Sequence, residues 1–190
     1  MNQRHFGCYY GAVDTTPLFL ILISLHAAWT GDLTLFHDLQ ENIDRALKLI
    51  DTYGDLNGDG FIEYQAHLGE RLVNQGWKDS GDAIVNADGT LTTPPFALVE
   101  VQSYGYLAKT GLADLYERTG NANLAAQLRK EAAELREKFN CEFWLEDKAF
   151  FALALQRDHK PCAVLSSNPS QALWTGIVDR KRREGRRRHC

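Results

Sequence analysis

The sequence predicts an all-α fold in which helical hairpins form part of an α/α toroid, with long loops and one short β-hairpin. Three observations predict it. Residues 17–53 and 98–139 share one plan, an apolar helix, a Thr-Gly-Asp or Thr-Gly-Asn linker and an amphipathic helix, repeated after about 89 residues. In each pair the first helix is apolar nearly all round and the second carries a charged face, which predicts an inner and an outer layer. Polar stretches at 54–95 and 140–169 separate the pairs, and connections beyond about 15 residues in a compact domain are usually functional.

The first helix covers residues 17–29 (PLFLILISLHAAW), about 13 residues against the roughly 20 that a membrane span needs, so a buried helix is predicted and a membrane protein is not. The run also starts too late for a secretion signal and lacks the basic segment and small-residue cleavage site of one. Gly31 suits the left-handed position after a helix, and Asp32 the N-cap of the next. Leu35, Leu39, Ile43, Leu47 and Ile50 then recur at spacings of three and four, an amphipathic helix. Residues 98–118 repeat the apolar helix. Gly120 and Asn121 repeat the linker chemistry, and Leu124, Leu128, Ala132, Leu135 and Phe139 repeat the stripe, so each segment reads as a tight αα-hairpin. FFALAL with the charged residues before it predicts a short β-hairpin on this scaffold, and a fifth helix starts at residues 170–174.

The 190 residues carry a net charge of −4, with 44% hydrophobic and 24% charged residues, the composition of a globular domain rather than a disordered chain. The charge is uneven: residues 179–190 (DRKRREGRRRHC) hold +5 and residues 1–178 hold −9. A dense basic block is ordinarily solvated, and a basic arm for nucleic acid or targeting is its alternative. Cys8, Cys141, Cys162 and Cys190 have neither paired nor clustered spacing, which argues against a disulfide framework or a zinc site. They fit a reducing, cytoplasmic setting, the first three as packing residues and Cys190 as a free thiol. The six histidines are scattered singly, as surface or packing residues are.

Two polar segments carry candidate chemistry. In DLNGDGFIEY, Asp55, Asn57 and Asp59 take positions 1, 3 and 5 of a calcium loop and Gly60 takes position 6. Position 12 is Ala66 where the bidentate glutamate of a calcium sensor belongs. A structural calcium held by Asp55, Asn57, Asp59, the Phe61 carbonyl and Glu63 is one reading, and a turn whose side chains bond their own backbone is the other. The second segment, NQGWKDSGD, sets Trp77 two residues before a carboxylate among polar groups. Sugars need that mixture, because an aromatic face packs on C–H groups while amides and carboxylates bond hydroxyls. A carboxyl partly desolvated beside Trp77 has its pKa pushed up, as a general acid requires. The rival is an N-cap cluster in which Asp79 or Ser80 opens a short helix.

These segments fall into an ordered series: YYGAVDTTPLF (9–19), TGD, DGDGFIEY, NQGWKDSGD, EVQSYGY (100–106), FNCEFWLED (139–147), FFALAL and SNPSQALWTGIV (167–178). The series, covering residues 9–178, resembles the catalytic domain of bacterial amylo-α-1,6-glucosidase or glycogen-debranching-type glycoside hydrolases, relatives of glucoamylase and mannosylglycerate hydrolase. The resemblance implies an (α/α)6 six-hairpin barrel and inverting, exo-acting hydrolysis of α-glucosidic bonds in an oligosaccharide or polysaccharide, with no required cofactor. It also implies Asp79 as the general acid, with Asp82 as the fallback. Asp14 would hold hydroxyls of the terminal sugar with Tyr10 nearby, and Gln75, Trp77, Lys78 and Gln102 would line the pocket. Gly81 departs from the pattern, which has an aromatic residue there, and puts one pocket wall in doubt.

Inversion needs a second carboxyl about 6.5–9.5 Å from the first, as base for the attacking water. In relatives that glutamate stands far downstream of L-W-T-G-I, and no matching segment follows here. Residues 1–178 therefore read as part of such a catalytic domain, carrying the acid half of the site, with 179–190 as a basic tail. The rival is a non-catalytic helical module that binds carbohydrate or a protein partner. Nucleic-acid binding through the tail is opposed by the acidic body.

Overall fold

The computed structural model describes residues 12–65 and 73–179. The chain is mostly helical with a small sheet. Helix α1 (Thr15–Thr30) ends on Gly31 at φ 73°, α2 (Thr34–Asp38) and α3 (Gln40–Lys48) follow, and a wider helical turn (Leu49–Tyr53) closes the first hairpin. Helices α4 (Val99–Arg118) and α5 (Ala122–Glu142) form the second hairpin, turning at Gly120 with φ 88°. Both left-handed glycines stand where the linkers predict them. The Asn121 side chain caps α5 by accepting the Leu124 N–H at 3.3 Å. Asp32 works one residue earlier than predicted, accepting from the Thr34 N–H at 2.8 Å while Leu33 occupies the cap. The single helix read from Leu35 to Ile50 is broken at Leu39, whose φ of −103° and ψ of 15° leave the helical range.

Helix α4 is the central element and packs against α1, α5 and the short α6 (Ser170–Thr175). Its contact with α1 is close. A Cβ at Gly111 would meet Ser24 Oγ at 2.5 Å and Ser24 Cβ at 2.8 Å. Helix α3 is tied to α4 through Tyr116, whose hydroxyl accepts from Gln40 at 2.7 Å and donates to Asp44 at 3.1 Å. Helix α1 is only half covered. Leu20, Ile21, Ile23 and Ala27 are buried, whereas Leu22 and Trp29 are 62% and 86% exposed, so the fully buried helix read from residues 17–29 is corrected to a one-sided one.

The hairpin is present as β3 (Trp144–Leu145) and β4 (Phe150–Phe151), with Trp144 opposite Phe151. A second, antiparallel sheet in the order β1 (Glu63–Tyr64), β2 (Phe96–Leu98) and β5 (Ala154–Leu155) joins the acidic loop, the entry to α4 and the segment after the hairpin. Two apolar cores result. One fills the space among α1, α3 and α4, and the other gathers Phe61, Phe139, Phe143, Phe151 and Ile177 under the hairpin. Cys162 is a buried free thiol, as a packing residue should be, but Cys141 is disulfide-bonded, against the expectation of unpaired cysteines. Among the described residues no helix is long and apolar enough to cross a membrane. Tyr10, Cys8, Ala66, Cys190 and residues 180–190 lie outside the described residues.

Candidate functional site

Residues 74–80 form a closed loop, and one amide closes it. Asn74 is buried at the loop's foot, donates to the Ser80 carbonyl at 2.5 Å and accepts from the Tyr64 hydroxyl at 3.1 Å. Gly76 lets the loop lie on the end of β2, because a Cβ there would strike the Leu98 side chain. The Val13 N–H donates to the Gln75 carbonyl at 2.8 Å, which joins the loop to the start of α1. The clasp presents Trp77, 79% exposed, with Lys78 half-buried and Asp79 and Asp82 exposed. Among the described residues nothing stands within 4 Å of a Cβ at Gly81, the position that lacks the aromatic residue of the pattern.

Trp77 borders a cavity of about 420 Å³ that Asp14, Glu100, Tyr104 and Asn168 also line, within the usual size range of small-ligand sites. Asp14 comes from the start of α1, Glu100 from the first turn of α4 and Asn168 from the turn before α6. Glu100 is 2% exposed; its Oε1 accepts from Asn168 Nδ2 at 2.7 Å and its Oε2 is buried without a partner among the described residues. Burial raises Glu100 above the usual carboxylate range, and the Asp14 charge adds to this while Asn168 and Lys78 pull against it. Burial also raises Asp14, in part offset by the amides of Asp14 and Thr15. The Tyr104 hydroxyl is pushed up to about 12 by burial and by the charges of Glu100 and Asp14.

The sequence candidates thus separate. Asp14 and Trp77 meet at the cavity; Lys78 reaches Glu100 by its charge; Asp79 and Asp82 are on or beside the clasped loop and are not part of the lining. Gln75 borders another cavity, of about 450 Å³, between the start of α1 and β1. Gln102 is fully buried and its amide is spent on the backbone, accepting the Ile62 N–H at 2.8 Å and donating to the Ile62 and Leu98 carbonyls at 2.7 and 3.1 Å. Glu100, Asn168 and Tyr104 were not singled out from the sequence, although a carboxylate opening an otherwise apolar helix was the available signal for Glu100. A larger cavity of about 570 Å³ lies between the acidic loop, α4 and α5, but there Lys109 is already paired with Asp51 and Glu131.

In the acidic loop, Asp55 accepts the N–H groups of Gly58, Asp59 and Gly60 at 2.8–3.0 Å, and Asn57 donates to Asp59 at 2.8 Å and to Glu63 at 3.3 Å. Lys138 donates to the Asp59 carbonyl, and the His159 imidazole bridges Asp59, at 3.0 Å, and Glu142. The Glu142 contact raises His159 above its ordinary value. Glu63 is 8% exposed, its Oε2 is unpartnered among the described residues, and burial followed by the Asp59 charge pushes it up to about 7. As the loop stands, among the described residues no group of three or more His, Cys, Asp or Glu is close enough to hold a metal ion. No family model and no curated protein matches the chain.

Proposed function

We propose that the cavity beside Trp77 binds the terminal glucosyl unit of an α-glucosidic oligosaccharide or polysaccharide. On this reading the chain carries the acid half of an inverting, exo-acting glycoside hydrolase site of the amylo-α-1,6-glucosidase kind, on an (α/α)6 scaffold. One observation carries the reading. Asp14 and Trp77, drawn from separate sequence blocks, converge on one cavity that also holds a buried carboxyl and a buried amide. Trp77 supplies an apolar face for the sugar ring and Asp14 an acceptor for its hydroxyls. Asp79 protonates the glycosidic oxygen as the bond breaks, and water attacks the opposite face of the ring with help from a second carboxylate. Asp79 is exposed, so the bound saccharide must cover it to shield the proton transfer from water.

That exposure also favours a second reading, a module that binds saccharide or a protein partner without turnover. One experiment separates them: titrate maltotriose and isomaltose while following tryptophan fluorescence, and assay glucose release in parallel. Binding weakened about tenfold in Trp77→Ala, with little or no turnover because the base is not supplied, is expected of the acid half, and an intact active hydrolase of this kind should lose its turnover on the change equivalent to Asp79→Asn. A rate unaltered by that change selects the module, and no binding of either sugar rejects both.

The acidic loop adds a structural calcium to the proposal. The ion would take the buried Glu63 Oε2, with Asp55, Asn57 and Asp59, in the place where His159 now meets Asp59. Calcium is expected to raise the melting temperature of the chain and to lose that effect in Glu63→Gln. An unchanged melting temperature would remove the ion.

A further inference from the structure

We infer that Glu100 contacts the bound saccharide directly, its free Oε2 taking a ligand hydroxyl, and that Asn168 is the residue that positions it. The inference rests on the saccharide reading above and names the group that decides which sugars enter. A carboxyl oxygen buried without a partner is costly, and a native fold retains such an atom where something else meets it. Glu100, whose Oε2 is such an atom, lines the cavity. The other oxygen is fixed by Asn168 at 2.7 Å, so the carboxyl plane is set before any ligand arrives. Asn168 is itself 6% exposed and is held in the turn before α6, where its carbonyl accepts the Gln171 N–H at 3.1 Å.

The charged groups facing Glu100 give the ligand class. Among the described residues Asp14 and Lys78 act on it by their charges, of opposite sign, and Asp14 and Tyr104 line the cavity with it. The free Glu100 oxygen accepts a hydrogen bond from a sugar hydroxyl. Two carboxyls in one small cavity repel a ligand carboxylate or phosphate. The structure therefore points to a neutral hexose unit and against uronic acids and sugar phosphates.

The test is calorimetric titration of the 190-residue chain at pH 7 with maltotriose, methyl α-glucoside and methyl α-glucuronide. Wild type should bind the first two and bind the glucuronide at least tenfold more weakly than the glucoside. Glu100→Ala should weaken maltotriose binding about tenfold or more, and Glu100→Gln, which keeps the Asn168 bond, should restore most of it. Asn168→Ala should weaken binding in the wild-type background and have no further effect in Glu100→Ala, because it acts through Glu100. A folded Glu100→Ala that binds like wild type overturns the inference and leaves the saccharide reading standing, as does an additive Asn168→Ala. Should Glu100→Ala fail to fold by circular dichroism, equal wild-type affinity for glucuronide and glucoside overturns it instead. A wild type that binds no saccharide overturns both.

Discussion

Phe139→Ala is expected to lower the unfolding free energy by about 4 kcal/mol, from the cavity left by a buried ring together with two lost ring contacts. Phe139 is fully buried and lies between Phe143 and Phe151, with ring centroids 4.9 and 5.0 Å away and ring planes 23° and 22° from its own. A domain of this size is stable by roughly 5–15 kcal/mol, so the loss removes a large share. It also reaches the cavity. The next residue, Asn140, donates to the Ile177 carbonyl at 2.9 Å and accepts the Asp179 N–H at 2.8 Å, which fixes the chain after α6, the helix behind Asn168. Urea denaturation of Phe139→Ala beside Phe139→Leu checks this. Leucine should recover most of the loss, and equal losses would mean that the ring stack carries more than volume.

Lys109→Met should cost about 2–3 kcal/mol, somewhat below the usual loss from breaking a buried pair because the partners keep some water. The lysine side chain is 10% exposed and donates to Asp51 at 2.6 Å and Glu131 at 2.7 Å, whose side chains are 41% and 26% exposed. Burial alone would lower the Lys109 pKa, but its two carboxylates raise it instead. Burial would raise Glu131, and the hydrogen bonds from Lys109 and Gln127 bring it below its usual value. A depressed carboxylate contributes stability above its unfolded pKa of about 4.3, and that stability is lost as pH falls through the folded value. Without Lys109 the sign reverses. Burial then raises Glu131, so Lys109→Met should approach wild-type stability as pH drops from 7 toward 4. Denaturant midpoints at several pH values measure this, and a pH-independent difference would mean that Lys109 acts through packing.

The hairpins were legible in the sequence because their signals are local. Gly31, Gly120 and Asn121 announce their roles by residue type, and the stripes on α3 and α5 repeat at helical spacing. The sheet was not legible. Its strands have two or three residues each, too few for an alternating pattern, and β2 meets β5 only after α4 and α5 have folded back. The site was legible in halves. Asp14 and Trp77 stood in polar segments whose chemistry was plain. Glu100 looked like a residue at a helix start until Asn168, 68 positions later, made it part of a cavity wall. Gln102 shows the opposite failure. A glutamine beside a candidate site reads equally as a sugar ligand or a backbone brace, and only the partner atoms at Ile62 and Leu98 decide for the brace.

The contact of Gly111 with Ser24 constrains the mutational paths open to this chain. Every single-base change in a glycine codon that yields another residue adds at least a methyl group, and at position 111 that carbon meets Ser24 Cβ at 2.8 Å, an atom that no rotamer change can move away. A Ser24→Gly change first clears the way, after which a small residue at 111 can take up the space. The two substitutions commute in the final sequence and not in the order of their appearance, so drift at the α1–α4 seam has one passable direction.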